Sequence, residues 1–213
     1  MRIGFLINPI AGMGGKVGLK GTDNVVQKAI EMGAKPSSPD RALIALLSLS
    51  HANISELLVY GSSMGEEIAL KAGFSPIVVG YPRNKKTSAI DTQNSIHSFV
   101  SQKVDLILFA GGDGTAVDIS HTLDELQSSI PLLGIPSGVK VYSSVFANSP
   151  HDVGSIISSY STTELREVMD LDEDAYRQGE IIPHIHSIRP VPLSEELQSS
   201  KQLLGGTVEG AIE

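Results

Sequence analysis

Short apolar runs alternate along the chain with longer segments in which apolar residues recur at helical spacing. The runs predict buried β-strands, and the segments between them predict α-helices. Gly, Pro or Asn-Pro follows each run, as expected where a buried parallel strand turns into a loop at the edge of a sheet. The predicted strands are Ile3–Ile7, Leu57–Tyr60, Ile77–Val79, Leu106–Ala110 and Leu132–Ile135.

Capping residues mark the ends of the predicted helices. Gly33 can end the first of them, and Ser38 precedes the proline that opens the second. Alternating strands and helices predict an α/β fold: a three-layer α/β/α sandwich with a mostly parallel sheet, whose strand carboxyl ends share one ligand-binding edge. The predicted helices are Asp23–Met32, Pro39–Leu49, Ser62–Ala72, Thr87–Val100 and Thr115–Leu126.

The pattern changes after about residue 150. Residues 164–170 and 181–191 have the alternation that predicts β-strands. Residues 194–213 add one weak helical pattern and no further strand, which is too little to close a second sheet. We therefore expect an α/β domain over residues 1–150, followed over residues 151–213 by the start of a β-rich domain that ends before it is complete.

The composition narrows the kinds of partner. The chain has 213 residues, of which 41% are hydrophobic and 19% are charged, as is ordinary for a globular protein with a sizeable core. Its net charge of -8 repels a polyanion over most of the surface, so nucleic acid is not expected as a main partner. The absence of cysteine excludes disulfides and thiolate sites and fits a reducing compartment.

Hydropathy argues against a membrane protein. No stretch approaches the roughly 18 apolar residues needed to cross a bilayer, so we expect a soluble protein without a membrane partner. The run at Ile3–Ile7 is ended by Asn8-Pro9 too early to be a signal peptide. A cytoplasmic location is the resulting expectation, and the sequon at Asn53 then carries no glycan.

The strongest functional signal is a strand, Val104–Ala110, followed by the glycine-rich turn Gly111–Thr115 and a helix. The glycines let the backbone approach a ligand closely, and the free N–H groups at the start of the helix favour phosphate. An acid in such a turn would repel a bare phosphate. Asp113 therefore suits Mg²⁺ binding on a polyphosphate or proton acceptance from an attacking hydroxyl, whereas a lone Gly-Asp-Gly is more often a solvated turn.

A second glycine-rich loop, Asn8–Lys16, also leaves the end of a predicted strand. It is not a dinucleotide-binding fingerprint, because Val17 stands where the third glycine belongs. It is not a Walker A loop either, because Ile10 stands at the first glycine position and Val17 follows Lys16. Phosphate binding is therefore argued from the backbone amides around Gly12, Gly14 and Gly15, and Lys16 is equally well explained as a surface lysine.

Together these residues resemble a known family. Asn8–Gly12 combined with Gly111–Thr115 is similar to the ATP-NAD kinase superfamily, which also includes diacylglycerol and sphingosine kinases. The resemblance spans residues 3 to about 192 and implies the N-terminal fold of NAD kinase and phosphofructokinase. It is closest to the ATP-NAD kinase-like or AcoX-like branch, through residues 17–23, 63–66, 91–92, 111–118 and 136–140.

The resemblance implies a chemistry. It implies ATP or another phosphoryl donor, Mg²⁺, and phosphorylation of a hydroxyl, which in NAD kinases is the adenosine-ribose 2′-hydroxyl. It makes Asp113 the catalytic carboxylate, as base or metal partner, and Asn8 a residue that shapes the neighbouring phosphate loop. Contacts to phosphate are implied for Gly111, Gly112, Gly114 and Thr115.

Other candidate residues have simpler alternatives. Ser137 and Lys140 follow the fifth strand and could lie near phosphates, although a strand-to-helix turn explains them equally well. The basic loop Arg83–Lys86 suits a phosphate tail, but such runs are usually solvated. His184-x-His186 places two imidazoles on one strand face without a third metal ligand nearby.

Two functions compete. The first is a kinase that phosphorylates NAD or a related small molecule. The second is a nucleotide-binding or regulatory module without turnover, because the later Asn-Glu or Asn-Asp pair of NAD kinases is not recognisable and members of the closer branch are longer. A lipid or polyol kinase is a third, disfavoured because no Lys-rich amphipathic helix is evident. An open β edge could be covered by a second subunit in a homo-oligomer.

Overall fold

A five-stranded parallel sheet forms the centre of the computed structural model, which describes residues 1–12, 36–49, 54–137, 140–171 and 183–199. All five predicted strands are confirmed, as β1 (Arg2–Ile7), β2 (Glu56–Val59), β3 (Ile77–Val78), β4 (Leu106–Gly111) and β5 (Leu132–Pro136). The strand order is β3-β2-β1-β4-β5, so the chain crosses from one half of the sheet to the other between β3 and β4.

Helices cover both faces of the sheet. The described α-helices are α1 (Ser38–Ser48), α2 (Glu66–Lys71), α3 (Ala89–Ser101), α4 (Asp113–Glu125) and α5 (Val153–Ser159). Helices α2 and α5 pack against α1, whereas α3 packs against α4. Right-handed crossovers on the two sides of a reversing strand order place these groups on opposite faces, which confirms the three-layer sandwich. The predicted helix Asp23–Met32 lies outside the described residues.

The central strands are buried because helices cover both of their faces. Every residue of β4 is buried, as are all residues of β1 after Arg2. This is why the sequence shows continuous apolar runs there instead of alternation. Gly4 is part of this packing, since a Cβ added to it would lie 2.8 Å from the ring of Phe99 in α3. The edge strand β3 is more open, and Ile77 is 45% exposed.

The helix predicted over Ser62–Ala72 is confirmed over Glu66–Lys71, but its predicted start at Ser62 is wrong. The segment forms a 3-10 turn at Ser62–Met64, and α2 begins only at Glu66. Gly65 separates the two, with a φ of 153° that side-chain-bearing residues rarely adopt. A Cβ on Gly65 would also lie 3.0 Å from the carbonyl oxygen of Phe5, so the break is fixed by the close approach of β1.

Strands β6 (Thr163–Leu171) and β7 (Pro183–Pro192) form an antiparallel pair, which confirms the expected change to β structure after residue 150. The pair packs against α4 and against the segment that follows β5. In that segment the N–H of Ser144 donates to the carbonyl oxygen of Glu167 at 2.9 Å. The domain boundary near residue 150 stays a prediction.

Asp91 ties the loop after β3 to the start of α3. Its carboxylate accepts hydrogen bonds from the N–H of Ser88 at 2.9 Å and from the N–H of Arg83 at 3.1 Å, and it completes a capping box with Ser88. Burial alone would raise the pKa of Asp91, but these hydrogen bonds and the charge of Arg83 outweigh it and lower the pKa below its ordinary 3.8.

Replacing Asp91 with Asn should therefore destabilise the fold in a pH-dependent way. The carboxylate contribution is present above the unfolded-state pKa and is lost as the pH falls through the lower folded-state value. We expect a loss of about 1 kcal/mol near neutral pH, typical of a lost helix cap. Urea denaturation of the parent and of Asp91→Asn at pH 7 and at pH 3 measures this difference in the free energy of unfolding.

The control for this prediction is Asp40→Asn, which makes the same change at an exposed position in the first turn of α1. It should change the free energy of unfolding little at pH 7. A difference between parent and Asp91→Asn that is as large at pH 3 as at pH 7 would contradict the electrostatic origin.

Candidate active site

The two glycine-rich segments leave the carboxyl ends of the neighbouring strands β1 and β4 and are hydrogen-bonded to each other. The N–H of Asn8 donates to the carbonyl oxygen of Ala110 at 2.9 Å. The side-chain amide of Asn8 donates to the hydroxyl of Thr115 at 3.1 Å. The structure therefore brings Asn8 and Thr115 together, as expected of residues serving one site.

Asn8 also braces its own loop. Its side-chain oxygen accepts the N–H of Ile10 at 3.3 Å, and its carbonyl oxygen accepts the N–H of Ala11 at 3.2 Å. The hydroxyl of Ser38, at the start of α1, donates to the same carbonyl oxygen at 2.6 Å. Asn8 thus links β1, α1 and the turn after β4, while its role in binding a ligand stays a prediction.

Gly12 packs against the chain that follows β5. Its φ is +84°, and an added Cβ would lie 2.1 Å from both the carbonyl oxygen of Ser137 and the hydroxyl of Ser37. The hydroxyl of Ser37 donates to that same carbonyl oxygen. Ser137 is fully buried, and its own hydroxyl has no hydrogen-bond partner among the described residues. Internal packing is therefore sufficient to explain why position 12 requires glycine.

The glycines of the turn after β4 have different surroundings. Gly111 is buried under Thr115, and an added Cβ would lie 2.5 Å from the hydroxyl of that residue. Gly112 is the N-cap of α4. Gly114 is exposed, and an added Cβ would meet nothing within 4 Å. Gly111 is thus explained by packing, whereas Gly114 leaves open space beside the first turn of α4.

Asp113 is the first residue of α4, two positions before the predicted helix start at Thr115. Its carboxylate accepts the N–H of Tyr142 at 2.9 Å and the N–H of Ser143 at 2.8 Å. It also accepts the hydroxyl of Ser143 at 2.6 Å. Burial raises the pKa of Asp113, the hydrogen bonds from Ser143 and Tyr142 act against that rise, and the charge of Asp170 adds to it.

Sequence reasoning missed Tyr142 and Ser143 as partners of Asp113. They lie in the segment after β5, 29 and 30 positions further along the chain. The only available signal was a pair of serines inside the otherwise apolar segment 141–147. Both Ser143 and Ser144 are buried, and buried hydroxyls need hydrogen-bond partners.

The remaining candidates lie at the same edge or outside the described residues. Lys140 is exposed, with its ammonium nitrogen 4.9 Å from the ring centroid of Tyr142. The basic loop Arg83–Lys86 is exposed and follows β3, three strands away from β4, or about 14 Å at ordinary strand spacing. Gly14, Gly15 and Lys16 lie outside the described part of the chain.

Among the described residues, a magnesium site would use few protein ligands. The described ranges contain no group of three or more His, Cys, Asp or Glu side chains placed to hold a metal ion. Mg²⁺ is usually held by one or two carboxylates together with substrate phosphates and water. Asp113 fits that mode only where a nucleotide supplies the other ligands.

The histidine candidate His184 lies in β7, with its Nε2 3.8 Å from a carboxylate oxygen of Asp170.

The surface has two shallow depressions away from the candidate site, one beside Phe74 and one beside Leu47. Neither depression is lined by a residue of the candidate site. Among the described helices, none is long and apolar enough to span a bilayer.

Comparison with known proteins places these features in a family. A family model, the ATP-NAD kinase N-terminal domain, matches residues 3–165. The solved structure of a diacylglycerol kinase from Bacillus anthracis str. Sterne is 16% identical with a TM-score of 0.40, over 84% of this chain and 52% of that one. UDP-GlcNAc 2-epimerase from Neisseria meningitidis is 14% identical with a TM-score of 0.35, over 67% and 34%. A search of curated proteins gave no match.

The structural likenesses are too distant to carry an argument about function, and the chain spans about half the length of the diacylglycerol kinase. The family match is more extensive. It covers the parallel sheet, the loop after β1, Asp113 and the segment that binds its carboxylate. The chain therefore belongs to the ATP-NAD kinase family.

Proposed function

We propose that this chain carries the nucleotide-binding and phosphate-handling part of an ATP-dependent small-molecule kinase. The acceptor we propose is the adenosine-ribose 2′-hydroxyl of NAD or a related hydroxyl. Membership of the ATP-NAD kinase family supports the use of ATP. The acidic net charge of -8 argues for a small-molecule substrate over a nucleic acid.

One observation carries the proposal: the half-buried carboxylate of Asp113 and two amide-rich turns meet at one edge of the sheet. The first backbone N–H groups of α4 have no partner within the helix, and the positive end of the helix dipole lies with them. The open space at Gly114 leaves room for a phosphate beside these groups. Asn8 holds the second turn against the first through Thr115.

This arrangement is suited to phosphoryl transfer, which depends mainly on positioning and charge neutralisation. The acceptor oxygen forms a bond to the γ-phosphorus, the bond from that phosphorus to the bridging oxygen of the donor breaks, and ADP leaves. The acceptor proton passes to Asp113 if that residue is the base, and burial makes its carboxylate a better proton acceptor. When bound, Mg²⁺ would be held by Asp113 with the phosphate oxygens and would neutralise developing charge.

Incubation of the purified chain with ATP, Mg²⁺ and NAD tests the proposal, with NADP measured by an NADP-specific dehydrogenase. We expect NADP to form in proportion to ADP. Parallel reactions replace ATP with inorganic polyphosphate, or replace NAD with diacylglycerol. Tight ATP binding with no phosphorylated product from any acceptor would instead favour a nucleotide-binding module without turnover.

A further inference from the structure

The hydroxyl of Ser143 lies between the candidate catalytic carboxylate and strand β6. Its oxygen is 2.6 Å from Oδ1 of Asp113 and accepts the N–H of Met169 at 2.9 Å. Ser143 is fully buried. The ionised carboxylate is the stronger acceptor, so the hydroxyl proton is donated to Asp113 while its lone pair receives the strand N–H.

The hydrogen bonds distinguish the two oxygens of Asp113. Oδ1 accepts both the N–H and the hydroxyl of Ser143, and the N–H of Tyr142 lies 3.2 Å from it. Within the described part of the chain, Oδ2 accepts only the N–H of Tyr142, at 2.9 Å. A carboxylate oxygen has about two lone-pair sites, so Oδ1 is saturated, whereas the described residues leave one site on Oδ2.

We propose that Ser143 is a positioning residue for phosphoryl transfer, which fixes the Asp113 carboxylate so that Oδ2 is the oxygen left for the acceptor proton or the metal. This inference rests on the proposed function. The terminal torsion of an Asp side chain is soft, and the Ser143 hydroxyl is the shortest of the bonds that restrain it. Without that bond the carboxylate can rotate, and misplacement by about 1 Å can lower a rate about 100-fold.

Ser144 provides a matched control. It is also buried, and its hydroxyl also bonds to β6, by accepting the N–H of Glu167 at 3.0 Å. None of the hydrogen bonds to Asp113 comes from Ser144. Ser143→Ala and Ser144→Ala therefore each remove a buried hydroxyl that bonds to a backbone N–H of β6, but only the first also removes a bond to the carboxylate.

The test measures kcat and KM for ATP, with Mg²⁺ and NAD, together with the Tm of each variant. We expect Ser143→Ala to lower kcat by about 10- to 100-fold with KM for ATP within about twofold of the parent. Ser144→Ala should lower the Tm comparably and keep kcat within about twofold. Equal kcat values for the two variants would overturn the inference, as would a change confined to KM.

Further variants distinguish a failure of the proposed Ser143 role from a failure of the proposed kinase function. If Asp113→Asn abolishes turnover while Ser143→Ala keeps the parental kcat, the positioning role of Ser143 is wrong and the proposed function stands. If the parent forms no product, the proposed function is wrong and the inference is wrong with it. Should Ser143→Ala not fold, Ser143→Cys against Ser144→Cys makes the same comparison, because a thiol keeps the shape but is a weaker donor.

Discussion

Replacing Asp113 with Asn is expected to lower kcat by about 100-fold or more while the chain stays folded. An amide of the same shape can still accept the N–H of Ser143 with its oxygen. The substitution removes the negative charge and the basicity of the carboxylate, so no general base remains and the amide oxygen is only a weak, neutral ligand for Mg²⁺. NADP formation under saturating ATP and NAD measures kcat, and far-UV circular dichroism with a thermal melt measures the fold.

The control for Asp113→Asn is Asp105→Asn. Asp105 is exposed just before β4, at the opposite end of that strand, where its carboxylate accepts the N–H of Arg2 at 2.7 Å. The variant makes the same change in net charge and should keep kcat close to that of the parent. Turnover retained in Asp113→Asn would remove Asp113 from the chemistry and would leave it as a residue that anchors the segment after β5.

The layered sheet could be predicted from the sequence because its determinants are local. A strand buried on both faces shows as an unbroken apolar run, such as Leu106–Ala110, and a glycine or proline marks its end. The parallel arrangement then follows from the alternation of strands and helices. Asn8 and Thr115 come together because their strands end at the same edge of the sheet, although no sequence pattern links the two residues.

The detailed contacts of the site could not be predicted because they join distant residues. The turn Gly112-Asp113-Gly114 reads as a loop, since glycine disfavours helix by about 1 kcal/mol. The carboxylate of Asp113 is nevertheless bound by Tyr142 and Ser143, and α4 begins at Asp113. The fit of Gly12 against Ser137 is of the same kind, because no local pattern marks a contact across 125 positions.

A second large effect is expected at Arg189, which joins β7 to α4. Its guanidinium is buried and donates to the hydroxyl of Ser120 at 2.6 Å and to the carbonyl oxygen of Ser128 at 3.3 Å. It also donates to the carbonyl oxygen of Ser120 and pairs with the carboxylate of Asp124. One side chain thus binds the middle of α4, the turn after it and the helix end.

Arg189→Met should lower the free energy of unfolding by about 2–4 kcal/mol. Methionine keeps much of the apolar volume but supplies none of these donors, so buried oxygens lose charge-assisted hydrogen bonds. The lost ion pair with Asp124 contributes little to this decrease, because the Asp124 carboxylate is well exposed and can be solvated by water. Urea denaturation followed by circular dichroism measures the change, which should appear mainly in the midpoint and not in the slope.

The control for Arg189→Met is Arg166→Met. Arg166 is the cross-strand partner of Arg189 in β6, but it pairs with the nearby Glu164 in a partly exposed salt bridge. Such a bridge contributes little, so we expect a loss below about 1 kcal/mol. Because the N–H of Met169 in β6 donates to Ser143, Arg189→Met should in addition lower kcat at temperatures well below its Tm. Equal destabilisation by the two variants would show that the β6–β7 pair is held to α4 by apolar packing and not by the guanidinium.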